Sequence, residues 1–384
     1  MSAVSDLAVY CHIPFCERRC HYCAFPRVAG QAARHDAYMD ALRRDISATL
    51  PSLPYTAMTS MYIGGGTPSV IAPARLAASV TDIASLLPPS VQSEISVECN
   101  PHSLSSEFID ELTGAGVNRF SLGVQSCADA ELAWLGRLHD AAGAAAAFSL
   151  LRRHGCRNVS VDLMCGIPGQ TDASWRATLH RVAEEWRPEH ISFYLLSLEP
   201  GTRFVEWRND PPDGFDLPDD DTVMNRYWDG VDTLARAGYG QYEISNFALP
   251  GFEARHNQAY WDTTKHYIGV GAASHSFCRR ARGGEPRRFR VIKDIGIYIA
   301  RVAAGERYHA FSRRLTPRER EGERILLGLR RRAGVRLTAR SRAFFADTID
   351  RHASRGLLAA SSHTIALTRR GMELANTVMA DFAA

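Results

Sequence analysis

Residues 10–25 read Tyr10-Cys11-His12-Ile13-Pro14-Phe15-Cys16-Glu17-Arg18-Arg19-Cys20-His21-Tyr22-Cys23-Ala24-Phe25, and everything else in the chain is interpreted from this stretch. Cys16, Cys20 and Cys23 stand at the spacing CxxxCxxC on one loop. Iron–sulfur clusters are held by cysteine thiolates, four of them when every iron is closed. Three ligands leave one iron of a [4Fe-4S] cluster with an exchangeable position, where a molecule carrying amino and carboxylate groups can chelate. A structural zinc site reads differently, with paired CxxC spacings and a fourth ligand; His12 and His21 are the nearest candidates for that ligand. Cys11, Cys99, Cys127, Cys156, Cys165 and Cys278 are scattered, mostly in apolar strand-like contexts, where cysteine is a small buried hydrophobe.

The loop follows a predicted first strand at 8–13, and the pattern continues outward from it. Strands are expected at 60–63, 94–98, 119–124, 159–164 and 191–196. Ala- and Leu-rich helical stretches lie between them at 32–48, 72–84, 107–112, 130–153 and 174–186. This alternation calls for a parallel sheet with helical crossovers, wound as a partial barrel or as a flat doubly wound sheet. Gly64-Gly65-Gly66-Thr67-Pro68, Cys99-Asn100-Pro101, Gln125-Ser126 and Gly166-Ile167-Pro168-Gly169 each directly follow a strand. Polar and glycine-rich segments at the C-terminal ends of several strands favour the barrel.

The remaining composition is that of an ordinary globular chain. Of 384 residues, 45% are hydrophobic and 23% charged, so a normal core is available without disulfides. The net charge of +3 is too small to imply nucleic acid. The start shows no secretory signal and no run reaches the ~20 apolar residues of a membrane helix, which points to a cytoplasmic protein. A Pro-, Gly- and Asp-rich loop at 209–221 precedes a helix at 222–237 and a strand at 241–245. From about residue 307 the chain turns Arg-rich and helical, then forms a short hairpin and a last helix from 370, a winged-helix-like pattern.

The cysteine motif followed by Gly64–Pro68 resembles the radical S-adenosylmethionine (SAM) superfamily. The resemblance implies reductive cleavage of SAM to methionine and a 5′-deoxyadenosyl radical after one electron from the cluster. Longer stretches are similar to its coproporphyrinogen-oxidase-like branch: 94–101, 116–126, 161–171, 198–202 and 241–247. That branch implies an α/β fold, a partial (β/α)6 barrel with a smaller C-terminal winged-helix-like α+β domain. The chain then divides into the barrel (1–210), an extension (211–305) and the terminal domain (306–384). Tyr10, Tyr22, Gly65, Gly66, Thr67, Glu98, Gln125, Arg137, Asp162 and Ile244 fall on the branch's SAM-contacting positions. Glu98 suits the SAM ammonium, Asp162 the ribose hydroxyls, and Arg137 a carboxylate.

Oxygen-independent coproporphyrinogen III oxidases carry another cysteine where this chain has Phe25, and a longer segment before the cluster than residues 1–15. Both departures are shared with the HemW family of haem chaperones. Arg255-His256-Asn257-Gln258-Ala259-Tyr260-Trp261, with His275 downstream, is similar to that family's HNxxYW haem-binding signature. The resemblance therefore implies haem at His256, Asn257, Tyr260, Trp261 and His275, with either histidine open as the iron ligand. The alternative reading of the segment is a turn followed by core aromatics. The family further implies a respiratory haem protein as acceptor and a flavodoxin or ferredoxin as reductant, with peripheral membrane contact left open. Two enzymatic readings compete: a class C radical SAM methylase or cyclopropanase, which Cys11 and Ala24 keep open, and coproporphyrinogen oxidation, which Phe25 opposes.

Overall fold

The structure, a computed structural model, describes residues 6–282 and 284–383. Met1–Ser5, part of the start that reads as free of a signal, lie outside the described residues. Six strands lie in sequence order and pair in parallel: β1 (Asp6–Ile13), β2 (Ala57–Gly65), β3 (Pro89–Cys99), β4 (Arg119–Gln125), β5 (Val159–Cys165) and β6 (His190–Leu195). Each matches an expected strand. β2 and β3 begin earlier than the expected runs because backbone pairing between Met58 and Pro89 holds their first residues.

The single helix expected over 130–153 is two helices, Asp129–Leu135 and Ala141–Arg153. Gly136 adopts φ 71°, which ends the first, and the Asp140 carboxylate accepts from the Gly143 N–H to cap the second. The break places Arg137 on a loop at the C-terminal end of β4. That position matters for the site described below.

β7 (Gly240–Glu243) and β8 (Asn246–Ala248) extend the sheet antiparallel beyond β6. On the other side β9 (Tyr267–Val270) pairs parallel with β1, followed by antiparallel β10 (His275–Cys278), β11 (Arg287–Val291) and β12 (His309–Arg313). The order is β12-β11-β10-β9-β1-β2-β3-β4-β5-β6-β8-β7, so the barrel stays open, with β12 and β7 as its edges. A seventh parallel strand, β9, joins the six; its short run Tyr267-Ile268-Gly269-Val270 is too brief to announce itself.

Side chains alternate along each strand. Leu7, Val9, Cys11, Met61, Ile63 and Val97 are buried under the helices, while Tyr10, His12, Ser60, Tyr62, Glu94, Glu98 and Asp162 line the inner face. Phe193 of β6 anchors the far side, stacked on Phe247 at 4.8 Å and edge-on to Trp175 and Tyr227. Burying such a ring contributes about 2–3 kcal/mol. At the C-terminal end, helices Pro317–Gly328 and Ala339–Ser354 pack with a small antiparallel sheet, β13 (Val335–Arg336), β14 (Leu358–Ala360) and β15 (Thr364–Leu367), and two short helices follow. Several of the segment's arginines are paired locally, Arg324 with Glu321 and Arg351 with Asp381 among them. Among the described residues no helix is long and apolar enough to cross a membrane.

Candidate cluster and cofactor site

The cysteine loop leaves the end of β1 and is pinned from two sides. Phe15–Cys16 pairs with Val28–Ala29 as a minimal two-stranded ladder. The glycine segment after β2 holds it from beneath: the Gly66 N–H donates to the Ile13 carbonyl at 2.8 Å and the Thr67 N–H to the Phe15 carbonyl at 2.7 Å. The glycines are required by space. A Cβ on Gly66 would stand 2.5 Å from the Phe15 carbonyl oxygen, and one on Gly65, at φ 116°, would meet the His12 ring at 2.3 Å.

Every cysteine of the motif has its own donor. Arg27 places a guanidinium nitrogen 2.7 Å from Cys23 Sγ, Arg137 reaches Cys20 Sγ at 3.5 Å, and the Thr67 hydroxyl reaches Cys16 Sγ at 3.5 Å. Such donors favour thiolates. Burial raises the Cys16 and Cys23 thiols, opposed at Cys16 by Thr67 and at Cys23 by Arg27, so metal binding must displace their protons. Among the described residues no three His, Cys, Asp or Glu side chains converge as ligands of a single ion. The two histidines that could complete a zinc site are turned elsewhere: His12 Nε2 donates to the Pro26 carbonyl and His21 Nδ1 to the Trp134 carbonyl.

Beside the loop lies a polar cradle. Glu98, near the end of β3, accepts from the Tyr62 hydroxyl at 2.8 Å and from the Gly65 N–H at 3.0 Å. Burial raises its carboxyl to about 7, against the pull of those two donors. Asp162 on β5 is raised to about 6, also by burial, and accepts from Ser121 at 3.3 Å. Arg137 donates to the Gly123 carbonyl at 2.8 Å but leaves its buried Nε without a partner. Gln125 holds a left-handed backbone, φ 70°, a strain of the kind found at ligand sites. Tyr10 donates to His12 Nδ1 at 2.8 Å. An unpaired buried guanidinium nitrogen and two carboxyls held protonation-ready fit a zwitterionic ligand such as SAM.

The structure therefore brings Tyr10, Gly65, Gly66, Thr67, Glu98, Gln125, Arg137 and Asp162 to the strand ends around the three cysteines. Tyr22 turns into an apolar cluster with Leu135, Met164, Ile167 and Phe204. The carbonyl of Ile244 accepts from Tyr227 and Gln241, and its side chain packs on the core. Sequence reasoning missed Arg27 and Tyr62. No local signal separates Arg27 from a solvated cation or Tyr62 from an ordinary strand aromatic.

The HNxxYW segment and the downstream His275 lie in two different places. The helix Arg255–Trp261 closes the N-terminal end of the barrel, its first N–H groups capped by Glu94, which accepts from Arg255 N at 3.1 Å and His256 N at 3.2 Å. His256 is 0% exposed, with Nδ1 3.0 Å from the Ser60 hydroxyl and Nε2 2.9 Å from the Tyr260 hydroxyl. Burial lowers its pKa to about 3. Its ring stacks on Tyr62 at 5.3 Å, directly under the Glu98 cradle. Asn257 is half-buried, and Trp261 lies beneath the Arg330 guanidinium at 4.4 Å. His275 is exposed at the start of β10, at the same end of the barrel as the cysteine loop and close enough to His12 to lower its pKa.

Residues 10–182 match the Radical SAM superfamily. The chain is 33% identical over 383 residues to the heme chaperone HemW of Lactococcus lactis, covering 98% of this chain and 97% of that one. It is 36% identical over 276 residues to HemW of Escherichia coli, covering 72% and 71% of the two chains. Among solved structures it resembles the coproporphyrinogen III oxidase HemN of Escherichia coli, a radical SAM enzyme, with TM-score 0.83 at 23% identity over 99% of this chain and 90% of that one. That last likeness establishes the fold.

Proposed function

The chain belongs to the radical SAM superfamily and, within it, to the HemW family, and on that premise we propose that it is a chaperone which binds haem beside its cluster site and delivers it to a respiratory haem protein. The observation that carries this reading is His275, an exposed imidazole at the rim next to the cysteine loop. Histidine is a common axial ligand of haem iron. His256 has both ring nitrogens engaged and no exposure, so in this proposal it supports the site from below while His275 meets the iron. Asn257, Tyr260 and Trp261 then act with it as the floor rather than as the haem wall.

Cys16, Cys20 and Cys23 would hold the [4Fe-4S] cluster that the family implies, and SAM would take the open iron. When bound, that pair supplies one-electron reductive chemistry, with a flavodoxin or ferredoxin as the electron source. Glu98 would receive the SAM ammonium, Arg137 its carboxylate and Asp162 the ribose hydroxyls. Tyr10, Gly65, Gly66, Thr67 and Gln125 would complete the enclosure, with Tyr22 and Ile244 packed behind it. The division into 1–210, 211–305 and 306–384, a cytoplasmic location and a peripheral membrane contact at the acceptor belong to the same proposal.

The test is an anaerobic haem titration of the reconstituted protein, following the Soret band in wild type, His275→Ala and His256→Ala. The expected result is a saturable shift lost in His275→Ala and kept in His256→Ala. A shift lost only in His256→Ala would move the ligand to the HNxxYW helix. No saturable shift in wild type would remove the haem reading altogether.

A further inference from the structure

His275 on β10 and Arg290 on β11 are register partners, so their side chains leave the same face of the sheet. Counting back through Phe277, Tyr267 and Ala8, this is the face that carries Tyr10 and His12. Two residues before Arg290 on that face, Arg288 has an acid, a hydroxyl and a ring as partners, although its Nε, like that of Arg290, makes no hydrogen bond. It donates to the Tyr267 hydroxyl at 2.9 Å, lies 2.6 Å from a Glu323 oxygen, and covers the Phe277 ring at 4.8 Å.

Arg290 has no such partners. Among the described residues no acid stands within ion-pair distance of it, no acceptor takes its hydrogen bonds, and its Nε is buried unpaired. The acids nearest in sequence are committed elsewhere: Asp294 caps the helix Ile295–Ala303 through the Ile297 N–H, and Glu285 faces Arg314 and Arg320. Lys293, exposed just past β11, adds a second positive charge facing His275. Burial first, then Arg290, Arg288 and Lys293, lowers the His275 pKa and keeps the imidazole neutral.

A partly desolvated guanidinium without an anion is a costly arrangement, whereas its planar fork matches a carboxylate through two parallel hydrogen bonds. We propose that Arg290, with Lys293 beside it, is the binding site for the carboxylate arms of a planar tetrapyrrole whose metal faces His275. This rests on the haem reading above and adds to it the group that orients the macrocycle. Histidine alone fixes the iron but leaves the ring free to rotate about the iron–nitrogen bond. A cation on the neighbouring strand would hold one edge and stop that rotation.

The experiment separates carboxylate recognition from iron ligation. Metal-free protoporphyrin IX and its dimethyl ester are titrated by fluorescence against wild type, Arg290→Gln and Arg290→Lys, with haem titrated in parallel. Circular dichroism and cluster iron content establish that each variant is folded. Wild type should prefer the free acid to the diester by about tenfold or more. Arg290→Gln should lose that preference, and Arg290→Lys should regain part of it. Haem should still show its His275-dependent Soret shift in Arg290→Gln, at weaker affinity. Equal binding of acid and ester by wild type, or a preference that survives in Arg290→Gln, overturns the proposal, as does wild type binding neither porphyrin. An Arg290-dependent preference without any haem Soret shift would sustain the carboxylate site and sink only the iron-ligand reading.

Discussion

Glu98 and Arg137 both belong to the cradle beside the cysteine loop, one an acid held up to about 7 by burial, the other a cation with an unused nitrogen. Because the folded pKa of Glu98 lies above its ordinary 4.5, the folded state keeps the proton longer than the unfolded one. Its ionisation therefore removes stability as pH rises from about 4.5 to about 7. A bound ammonium reverses the balance by pairing with the ionised form. SAM affinity, read by equilibrium dialysis, is expected to rise as pH passes through about 7, and Glu98→Gln should both weaken binding and flatten that dependence. A wild-type affinity that does not change with pH across this range would remove Glu98 from the ammonium position. Replacing Arg137 with Gln should weaken SAM binding by about tenfold to a hundredfold, the worth of a charge-assisted pair. The cluster spectrum should shift as well, because Cys20 loses its donor. Unchanged SAM affinity in Arg137→Gln would assign the arginine to the loop alone.

The helix Arg255–Trp261 acts as one element with one task, closing the barrel beneath the cradle. His256 links Ser60 of β2 to Tyr260 and carries Tyr62 on its face, and Tyr62 in turn donates to Glu98. His256→Ala leaves two buried hydroxyls without partners and a cavity under Tyr62. The expected loss is about 2–4 kcal/mol by denaturant unfolding, with weakened SAM binding through the displaced Tyr62. A stability change below about 0.5 kcal/mol would mean that the helix is not the floor of the site. The residue types of HNxxYW were visible in the sequence, but their separation from His275 was not. Which end of a barrel a helix closes depends on where residues 211–254 take the chain, and nothing local in the motif specifies that path.

Across the whole molecule, His12, His139, His190, His256 and His266 are buried and held neutral, all chiefly by desolvation. His12, His139 and His266 are lowered to about 4, His256 to about 3, and His190 well below the usual range. A depressed folded pKa means that the unfolded chain takes the proton first. The stability these groups permit is complete above about 6.5 and is lost as pH falls toward 4, at about 1.4 kcal/mol per histidine per pH unit. The raised carboxyls of Glu98, Asp162 and Glu243 work in the opposite direction, while the lowered imidazoles of His21, His35, His275 and His309 add to the five. The thermal midpoint of the cluster-free protein is expected to fall from pH 6.5 to pH 4.5, and His266→Gln should make that fall shallower by one histidine's share. A midpoint flat over this range would show that the imidazoles are hydrated rather than buried.

The six parallel strands, the cysteine loop and the glycine segment were legible because each is written locally. A buried strand must be an apolar run, three thiolates on one loop must be closely spaced, and a backbone pressed against His12 and Phe15 must be glycine. The sequence by itself thus determined the open barrel, the closely spaced cysteine loop and the glycine segment packed against it. Tertiary structure alone decided how the remaining polar groups are used. Arg27 and Tyr62 became part of the site through contacts that chain folding creates. His256 and Arg290 contrast in what surrounds them, the first with both ring nitrogens hydrogen-bonded, the second with its buried Nε unpartnered among the described residues. Burial and pairing depend on distant segments of the chain. A side chain's type fixes the hydrogen bonds it can make, and only the folded neighbourhood fixes whether they have already been made.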